Sequence, residues 1–195
     1  HRNFGGTGER LDLSTRLSSI RQKVLGEYFI PAFFNIDNSL TLYSEAKNEE
    51  LDAYELHALK AGAKIGFKKT KHLKYSIGAE LKISEINDAG DNENFHLVSF
   101  PIELEWNHTN DVLNPSHGFL INAEVRPYID IINTETKFYK SIFSVSAYHT
   151  FDAPLQPTLA GRYSLGSITG ESLEAIPADE RFYIGGGGSV RGYAY

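Results

Sequence analysis

The sequence predicts an all-β protein built as an antiparallel meander of long strands. Apolar and polar residues alternate along most of the chain, whereas an apolar repeat at helical spacing is nearly absent. The clearest alternating run covers about twelve residues within 72–86, while strands of soluble sheets most often have roughly five or six. A meander of such strands hides its edges by closing into a barrel.

Strands follow one another from end to end. Within 72–86, the odd positions from Leu73 to Ile83 are apolar, and the even positions from Lys74 to Ser84 are polar or small. The same alternation predicts nine complete strands, at 9–20, 24–33, 38–46, 53–68, 72–86, 95–107, 117–130, 137–151 and 156–168, and a tenth that begins at Arg181. In 53–68 the apolar positions change from even to odd, which predicts a β-bulge near Ala58 and Leu59.

Every second connection of a meander lies at the same end of the sheet. One set of predicted connections comprises 35–38, 68–72, 107–118 and 152–154. The other set is polar and acidic and comprises 44–51, 86–94 and 130–136. We therefore expect one acidic end, and the last and longest connection there, 169–180, leads into a run of glycines.

Composition narrows the class of protein. The net charge of −6, from 19 basic and 25 acidic residues, argues against a nucleic-acid partner. The sequence has neither an apolar run long enough for a transmembrane helix nor a signal peptide. A mean hydropathy of −0.31 agrees with a transmembrane β-barrel, whose strands alternate between lipid and lumen. A first residue that is His, with no Met anywhere, predicts a processed or excised piece.

Alternation by itself does not separate a membrane barrel from a soluble one. Strand length favours the membrane, because roughly 9–11 residues cross a bilayer at a tilt. The alternative is a soluble β-sandwich or barrel that binds a small apolar ligand. The absence of cysteine fits an envelope protein without disulfides and equally a reduced compartment.

The glycine run Gly185–Gly188 continues into Ser189-Val190-Arg191-Gly192-Tyr193. Consecutive glycines cost folding entropy and persist where the backbone turns tightly or presents one side chain, which here is Arg191. A flexible linker is the alternative interpretation. Linkers usually mix Gly with Ser, however, and this run stands after the ninth predicted strand, which favours a loop at the acidic end.

Three segments resemble one family. Residues 182–186 (FYIGG) followed by 189–193 (SVRGY) resemble the signature of the outer-membrane assembly barrels, the BamA and TamA or bacterial surface antigen superfamily. Residues 110–119 (NDVLNPSHGF) are similar to its D-x-L-N-P-T-R-G turn, with Ser116-His117 where Thr-Arg is commoner. Residues 3–11 (NFGGTGERL) resemble its N-x-F-G-x-G-E turn. Their order and spacing also agree with the family.

The resemblance implies a fold and a function. The family barrel has sixteen strands, with the Val-Arg-Gly-Tyr motif on the loop between the eleventh and twelfth, so residues 1–195 would supply strands three to eleven. The POTRA region, the first strands and the C-terminal strands would lie outside the chain. The implied protein is non-enzymatic, has no cofactor, and lies in the outer membrane of a Gram-negative cell. It assembles β-barrel proteins or exports polypeptides.

Partners are implied by the same resemblance. They are outer-membrane lipids, client β-barrel or secreted polypeptides, and, in the full-length protein, POTRA domains and periplasmic accessory proteins. Exposed strand edges are templates for pairing, which is the physical basis for accepting client strands.

The implied site is the loop motif. The resemblance implies that Val190, Arg191, Gly192 and Tyr193 anchor the loop in the barrel lumen, after the loop glycines Gly185, Gly186, Gly187 and Gly188, with family partners of Arg191 beyond Tyr195. Charge balance adds a local hypothesis. In it, four inward carboxylates, Glu80, Glu103, Glu105 and Glu124, help to balance Arg191 and the arginines Arg10, Arg16, Arg126 and Arg162.

Other motifs are weak. Trp106, Phe119, Phe29, Phe33 and Phe34 fit either an interfacial aromatic girdle or ordinary packing. The seven histidines are dispersed and there is no cysteine, so we expect no metal site. The segment 166–170 (GSITG) has Ile where a nucleophile elbow needs Ser. Within the same fold, the alternative is the barrel of a patatin-like phospholipase, which an upstream G-x-S-x-G would identify.

Overall fold

A computed structural model describes residues 6, 8–51, 54–88, 91–132, 136–172 and 175–182. In them, ten strands form one antiparallel sheet: β1 (Arg10–Leu17), β2 (Arg21–Pro31), β3 (Asn38–Leu51), β4 (Tyr54–Lys68), β5 (Leu73–Asp88), β6 (Asp91–Ser99), β7 (Ile102–Asn107), β8 (His117–Asp130), β9 (Lys137–Thr150) and β10 (Thr158–Thr169). Their spatial order follows the sequence, with β6 and β7 both between β5 and β8. The all-β antiparallel meander is confirmed.

The only helix in the described residues is a single 3-10 turn, Ala178–Glu180. No helix in the described ranges is long and apolar enough to cross a membrane.

The strand predicted at 95–107 is two strands, separated at Pro101. Ser99 pairs with Glu80 and Ile102 with Ile77, so the register on β5 continues unchanged across the break. A proline has no backbone N–H to give to a ladder, which interrupts the hydrogen bonds without shifting the strand. The carbonyl of buried Pro101 still accepts from the N–H of Gly78 at 2.9 Å.

The predicted β-bulge near Ala58 and Leu59 is wrong. Both residues pair in an unbroken register with β3 and with β5. The change of apolar positions has another cause: Tyr54 and Leu56 lie on the same face as Lys60 but are buried near the end of the sheet. The sheet therefore keeps its register while the polarity of this face reverses.

The polar connections predicted at 44–51 and 86–94 are largely strand, since β3 runs to Leu51, β5 to Asp88, and β6 begins at Asp91. For 44–51, cross-strand ion pairs explain this: Lys23 lies 2.5 Å from Glu45, and Arg21 contacts Glu49. Opposite charges on neighbouring strands stabilise pairing. The tenth strand predicted from Arg181 is also wrong at its start, because Arg181 and Phe182 belong to no strand.

The two faces of the sheet differ in chemistry. The outer face carries exposed apolar side chains, among them Leu59, Tyr75, Ile77, Leu81, Ile83, Leu104 and Trp106. The inner face carries charged residues at mid-height, including Lys60, Glu80, Lys82 and Arg126. Towards the acidic end, the inner face becomes apolar and forms a buried cluster, which we call the inner apolar cluster: Tyr54, Leu56, Ile86, Phe95, Leu97, Tyr128 and Phe138, together with Ile176 and Ala178 from beyond β10.

The turn at 108–116, at the opposite end of the sheet, explains the motif NDVLNPSHG. Asn110 Oδ1 accepts from the N–H groups of Ser116 and His117, and Asp111 Oδ1 accepts from those of Leu113 and Asn114. These bonds hold the pKa of the Asp111 carboxyl below its usual range. Gly118 follows with φ of +101°, and a Cβ there would collide with the carbonyl of His108.

Candidate functional site on the inner face

The chain beyond β10 turns back onto the inner face. Gly170 begins this reversal with φ of +131°, which side chains other than glycine rarely adopt. Residues 175–182, which we call the loop base, then lie on the inner face, where Ile176, Pro177 and Ala178 are buried. Two of them, Ile176 and Ala178, complete the inner apolar cluster, so the loop base covers apolar side chains of the wall.

The acidic pair of the loop base meets cations of the wall. Lys82 Nζ lies 2.5 Å from Asp179 Oδ2 and 2.8 Å from Glu180 Oε1. The other oxygen of Glu180 accepts from Lys140 Nζ at 3.1 Å and from the Tyr128 hydroxyl at 2.8 Å. Because Lys82 is in β5 and Lys140 in β9, one carboxylate joins strands on both sides of β8.

Glu180 is ionised in this environment. Burial alone would raise its pKa, but the charges of Lys82 and Lys140 and the hydrogen bonds from Lys82 and Tyr128 outweigh burial and hold the pKa of Glu180 well below its ordinary value of 4.5. A buried carboxylate with two cations and a hydroxyl has its charge and its lone pairs satisfied.

Phe182 continues the contact beyond the acidic pair. Its ring lies over Gly166 of β10, within 2.6 Å of where a Cβ would stand, and Lys140 Nζ lies 5.3 Å from the ring centroid. A side chain at position 166 would displace the ring, so the glycine provides the space that Phe182 occupies.

A second cluster lies deeper on the inner face, around Glu80. Its carboxylate accepts from Arg126 at 3.0 Å and from the Tyr43 hydroxyl at 2.7 Å, and Lys60 lies 3.7 Å away. Tyr43 reaches Glu80 by crossing β4 at Gly62, where a Cβ would stand 2.5 Å from the phenol ring. The glycine therefore lets one side chain tie β3 to β5.

The hypothesis that inward carboxylates balance arginines holds for Arg126, while Arg191 lies outside the described residues. Arg126 contacts both Glu80 and Glu124. Glu103 and Glu105 instead pair with Lys64 and Lys74, each at 2.9 Å, and Arg10 pairs with Asp12. Lysines of β4 and β5 take this role, which the hypothesis did not include.

A cavity of about 430 Å³ opens on the inner face at the end opposite the loop base. Its wall alternates in charge, with Lys64, Lys68 and Lys74 facing Glu103, Glu105 and Glu124. In the described residues, no group of three or more His, Asp or Glu side chains is placed to hold a metal ion.

The predicted girdle is corrected at one position. Trp106 and Phe119 stack edge to face, with ring centroids 5.2 Å apart, on strands whose apolar side chains face outward. Phe29 instead lies on the inner face, where the Arg10 guanidinium sits 5.4 Å from its ring centroid. The alternation of β2 decides this, because Leu25, Glu27 and Phe29 share one face.

The predicted loop motif itself, Gly185–Gly188 and Val190–Tyr193, lies outside the described residues. The structure brings the loop base, and with it Asp179 and Glu180, to the inner face. Sequence reasoning passed over this acidic pair. A signal was available in the apolar inner positions Tyr54 and Leu56, which predict that something covers them.

Comparison with known proteins places the chain in a family. Residues 3–195 match the Omp85 superfamily domain. The chain belongs to the Omp85 superfamily. The resemblance to outer-membrane assembly barrels is thereby confirmed, and the sheet is part of an outer-membrane β-barrel whose apolar side chains face outward. The described Omp85 strands do not close the ring, because β1 and β10 stand at the two ends of the sheet.

The fold also matches an Omp85 structure. The crystal structure of BamA from Haemophilus ducreyi lacking POTRA domains 1-3 superposes with a TM-score of 0.84, at 18% sequence identity. The match covers 99% of this chain and 41% of that one, so the chain spans less than half of that protein. The soluble barrel is not supported, since the inner face is charged and the apolar side chains face outward.

Proposed function

We propose that this chain is the central part of an outer-membrane barrel that inserts β-barrel proteins into the membrane or moves polypeptides across it. The observation that carries the proposal is the Omp85 match over residues 3–195, together with a loop base that lies inside the barrel. Its strands would be the third to eleventh of a sixteen-stranded barrel, with POTRA domains and the remaining strands in the rest of the protein. The Gram-negative outer membrane is the expected location.

Membership of the Omp85 superfamily favours transport or assembly over catalysis. On the described inner face, Glu80 pairs with Lys60 and Arg126, and Glu103 pairs with Lys64. We expect no enzymatic activity from this barrel. The alternative, the barrel of a patatin-like phospholipase, differs from this proposal outside the barrel, because its catalytic residues would lie in an upstream domain.

Within this proposal, Arg191 anchors the loop in the lumen, and the motif Val190–Tyr193 acts after the glycine run. The test is complementation by the full-length gene in cells depleted of the native protein. Client barrel proteins should accumulate in the outer membrane with the wild-type gene, and less with Arg191→Glu. The variant Arg191→Lys keeps the charge without the bidentate geometry and separates the two contributions.

Unchanged client assembly and unchanged protease sensitivity of the loop in Arg191→Glu would overturn the anchoring role. The proposed function would be overturned if the wild-type gene were well expressed and yet restored neither client barrel proteins nor secreted polypeptides above their levels in the depleted cells.

A further inference from the structure

We propose that the loop base is a fixed part of the barrel interior, which stays on the inner wall throughout the working cycle. Lys82, Lys140 and Tyr128 are then positioning residues, which hold the loop base through Glu180 and so set the place from which the Arg191 loop begins. The inference rests on the proposed function only for its activity measurement, since the position of the loop base is tested separately.

The wall carries a charge that the loop base neutralises. Lys82 stands directly opposite Lys60 in the ladder between β4 and β5. Like charges at directly opposed positions destabilise a sheet. Lys60 turns towards Glu80, 3.7 Å away, whereas Lys82 turns to Asp179 and Glu180. Among the described contacts, Lys82 thus finds its acidic partners in the loop base.

The wall also carries an apolar surface shaped for the loop base. Leu56, Ile86, Leu97 and Phe138 are almost completely buried although they face the barrel interior. Ile176 lies in the same cluster. With the loop base displaced, these side chains would meet the water of the lumen, and such exposure is unfavourable. Apolar contact and ion pairing therefore act at the same place.

The loop base is held together by its own hydrogen bonds. The N–H of Glu180 donates to the Pro177 carbonyl at 2.9 Å, and the N–H of Arg181 donates to the Ala178 carbonyl at 3.2 Å. The Arg181 side chain also bonds to the backbone of the loop base, because its Nε donates to the Ile176 carbonyl at 2.8 Å. These bonds present Asp179 and Glu180 together to the wall.

A fixed base limits the reach of the Arg191 motif. Arg191 stands nine residues after Phe182, whose ring rests on Gly166. A fully extended chain of that length spans at most about 30 Å. A fixed base therefore sets the point from which this nine-residue segment starts.

The first test removes the ion pairs of Glu180 with Lys82 and Lys140, which we call the clamp. In the full-length protein in native membranes, trypsin cleavage after Arg181 is followed by mass spectrometry for wild type, for Lys82→Met with Lys140→Met, and for the control Lys64→Met. Cleavage after Arg181 should rise about tenfold or more in the double variant, because two partners of a buried carboxylate are lost. It should stay at the wild-type rate in Lys64→Met, whose pair with Glu103 lies away from the loop base.

The charge-swapped variant Lys82→Glu with Glu180→Lys is the control that distinguishes loss of the ion pair from a general folding defect. Partial return of protection in the swap supports a direct pair. Equal cleavage in the double variant and wild type would overturn the clamp.

The second test immobilises the base. Residues 1–195 contain no cysteine, so Gly166→Cys and Phe182→Cys, with any cysteine elsewhere in the full-length protein replaced by serine, supply a unique pair that a short bifunctional thiol reagent joins. Client assembly or export by the joined protein should equal that of the same variant before joining. Loss of activity on joining would overturn the claim that the base stays in place. If the wild-type protein had no assembly or export activity, the proposed function would fail, and the trypsin measurement would still decide whether the base is fixed.

Discussion

Lys82 Nζ and Glu180 Oε1, 98 residues apart in sequence, are joined by a hydrogen bond of 2.8 Å on the inner face of the barrel. The lysine side chain is 6% exposed and the carboxylate 13% exposed, so this is a buried ion pair. It joins the wall to the loop base.

Removing Lys82 should destabilise the protein more than removing an exposed lysine. Lys82→Met leaves a buried carboxylate with fewer partners, which costs about 3 kcal/mol. Lys64→Met breaks a pair whose members are 33% and 34% exposed, and partly exposed pairs contribute less than about 1 kcal/mol. Urea unfolding in detergent micelles, followed by gel mobility, measures both. Equal losses would show that the burial of the Lys82 pair has no energetic consequence.

Glu180 should make the stability depend on pH in the acid range. Its pKa in the folded protein is below the ordinary 4.5, so the unfolded chain takes up the proton first as the pH falls. The contribution of Glu180 is therefore complete above that value and is lost progressively below it. The difference in unfolding free energy between wild type and Glu180→Gln should shrink as the pH of the unfolding experiment is lowered from 7. A constant difference would exclude an ionised, clamped Glu180.

Gly62 should tolerate no side chain, whereas Gly161 should tolerate one. A Cβ at 62 stands 2.5 Å from the Tyr43 ring, while a Cβ at 161 has nothing within 4 Å. We expect Gly62→Ala to cost about 1–3 kcal/mol, as overpacking does, and Gly161→Ala to be nearly neutral. Thermal unfolding measures the two. Adding Tyr43→Ala should remove most of the extra cost of Gly62→Ala and leave the tight contact of the new Cβ with the Ala79 carbonyl, at 3.0 Å. An undiminished cost would refute the clash with Tyr43.

Gly118→Ala should disturb the turn at 108–116. Its φ of +101° is unfavourable for alanine, and the new methyl group would meet the His108 carbonyl. The expected loss exceeds about 1 kcal/mol. Gly26→Ala is the matched control, because its Cβ would be in ordinary contact, 3.8 Å from Ser44 Oγ. Similar unfolding midpoints for the two variants would mean that the turn adapts.

The alternation of residues was enough to predict the fold class, because each face of a strand meets one environment along most of its length. The prediction failed where the environment changes along a strand: Tyr54 and Leu56 suggested a bulge, yet they face inward under the loop base. Polar segments such as 44–51 suggested loops, since the sequence does not show that Glu45 meets Lys23 on the next strand.

The candidate site was harder to predict than the fold. Glu180 meets Lys82 and Lys140 because the loop base lies across the inner face between β5 and β9, which are separated by β6 and β8, and no local pattern encodes that placement. The glycine run and the motif after it could be singled out from the sequence, because nine consecutive residues there have an unusual composition. The acidic pair before it has an ordinary composition, and its role is visible only in three dimensions.

The most direct test of the clamped loop base is the reactivity of a single cysteine introduced at position 178 of the full-length protein in native membranes, with any cysteine elsewhere in that protein replaced by serine. Ala178 is 2% exposed, and Ile132, at the same end of the sheet, is 70% exposed. Ala178→Cys should be protected from a membrane-impermeant thiol reagent that labels Ile132→Cys readily, and protection should disappear when Lys82→Met and Lys140→Met are added. Labelling of Ala178→Cys at the rate of Ile132→Cys in the otherwise wild-type protein would contradict the account.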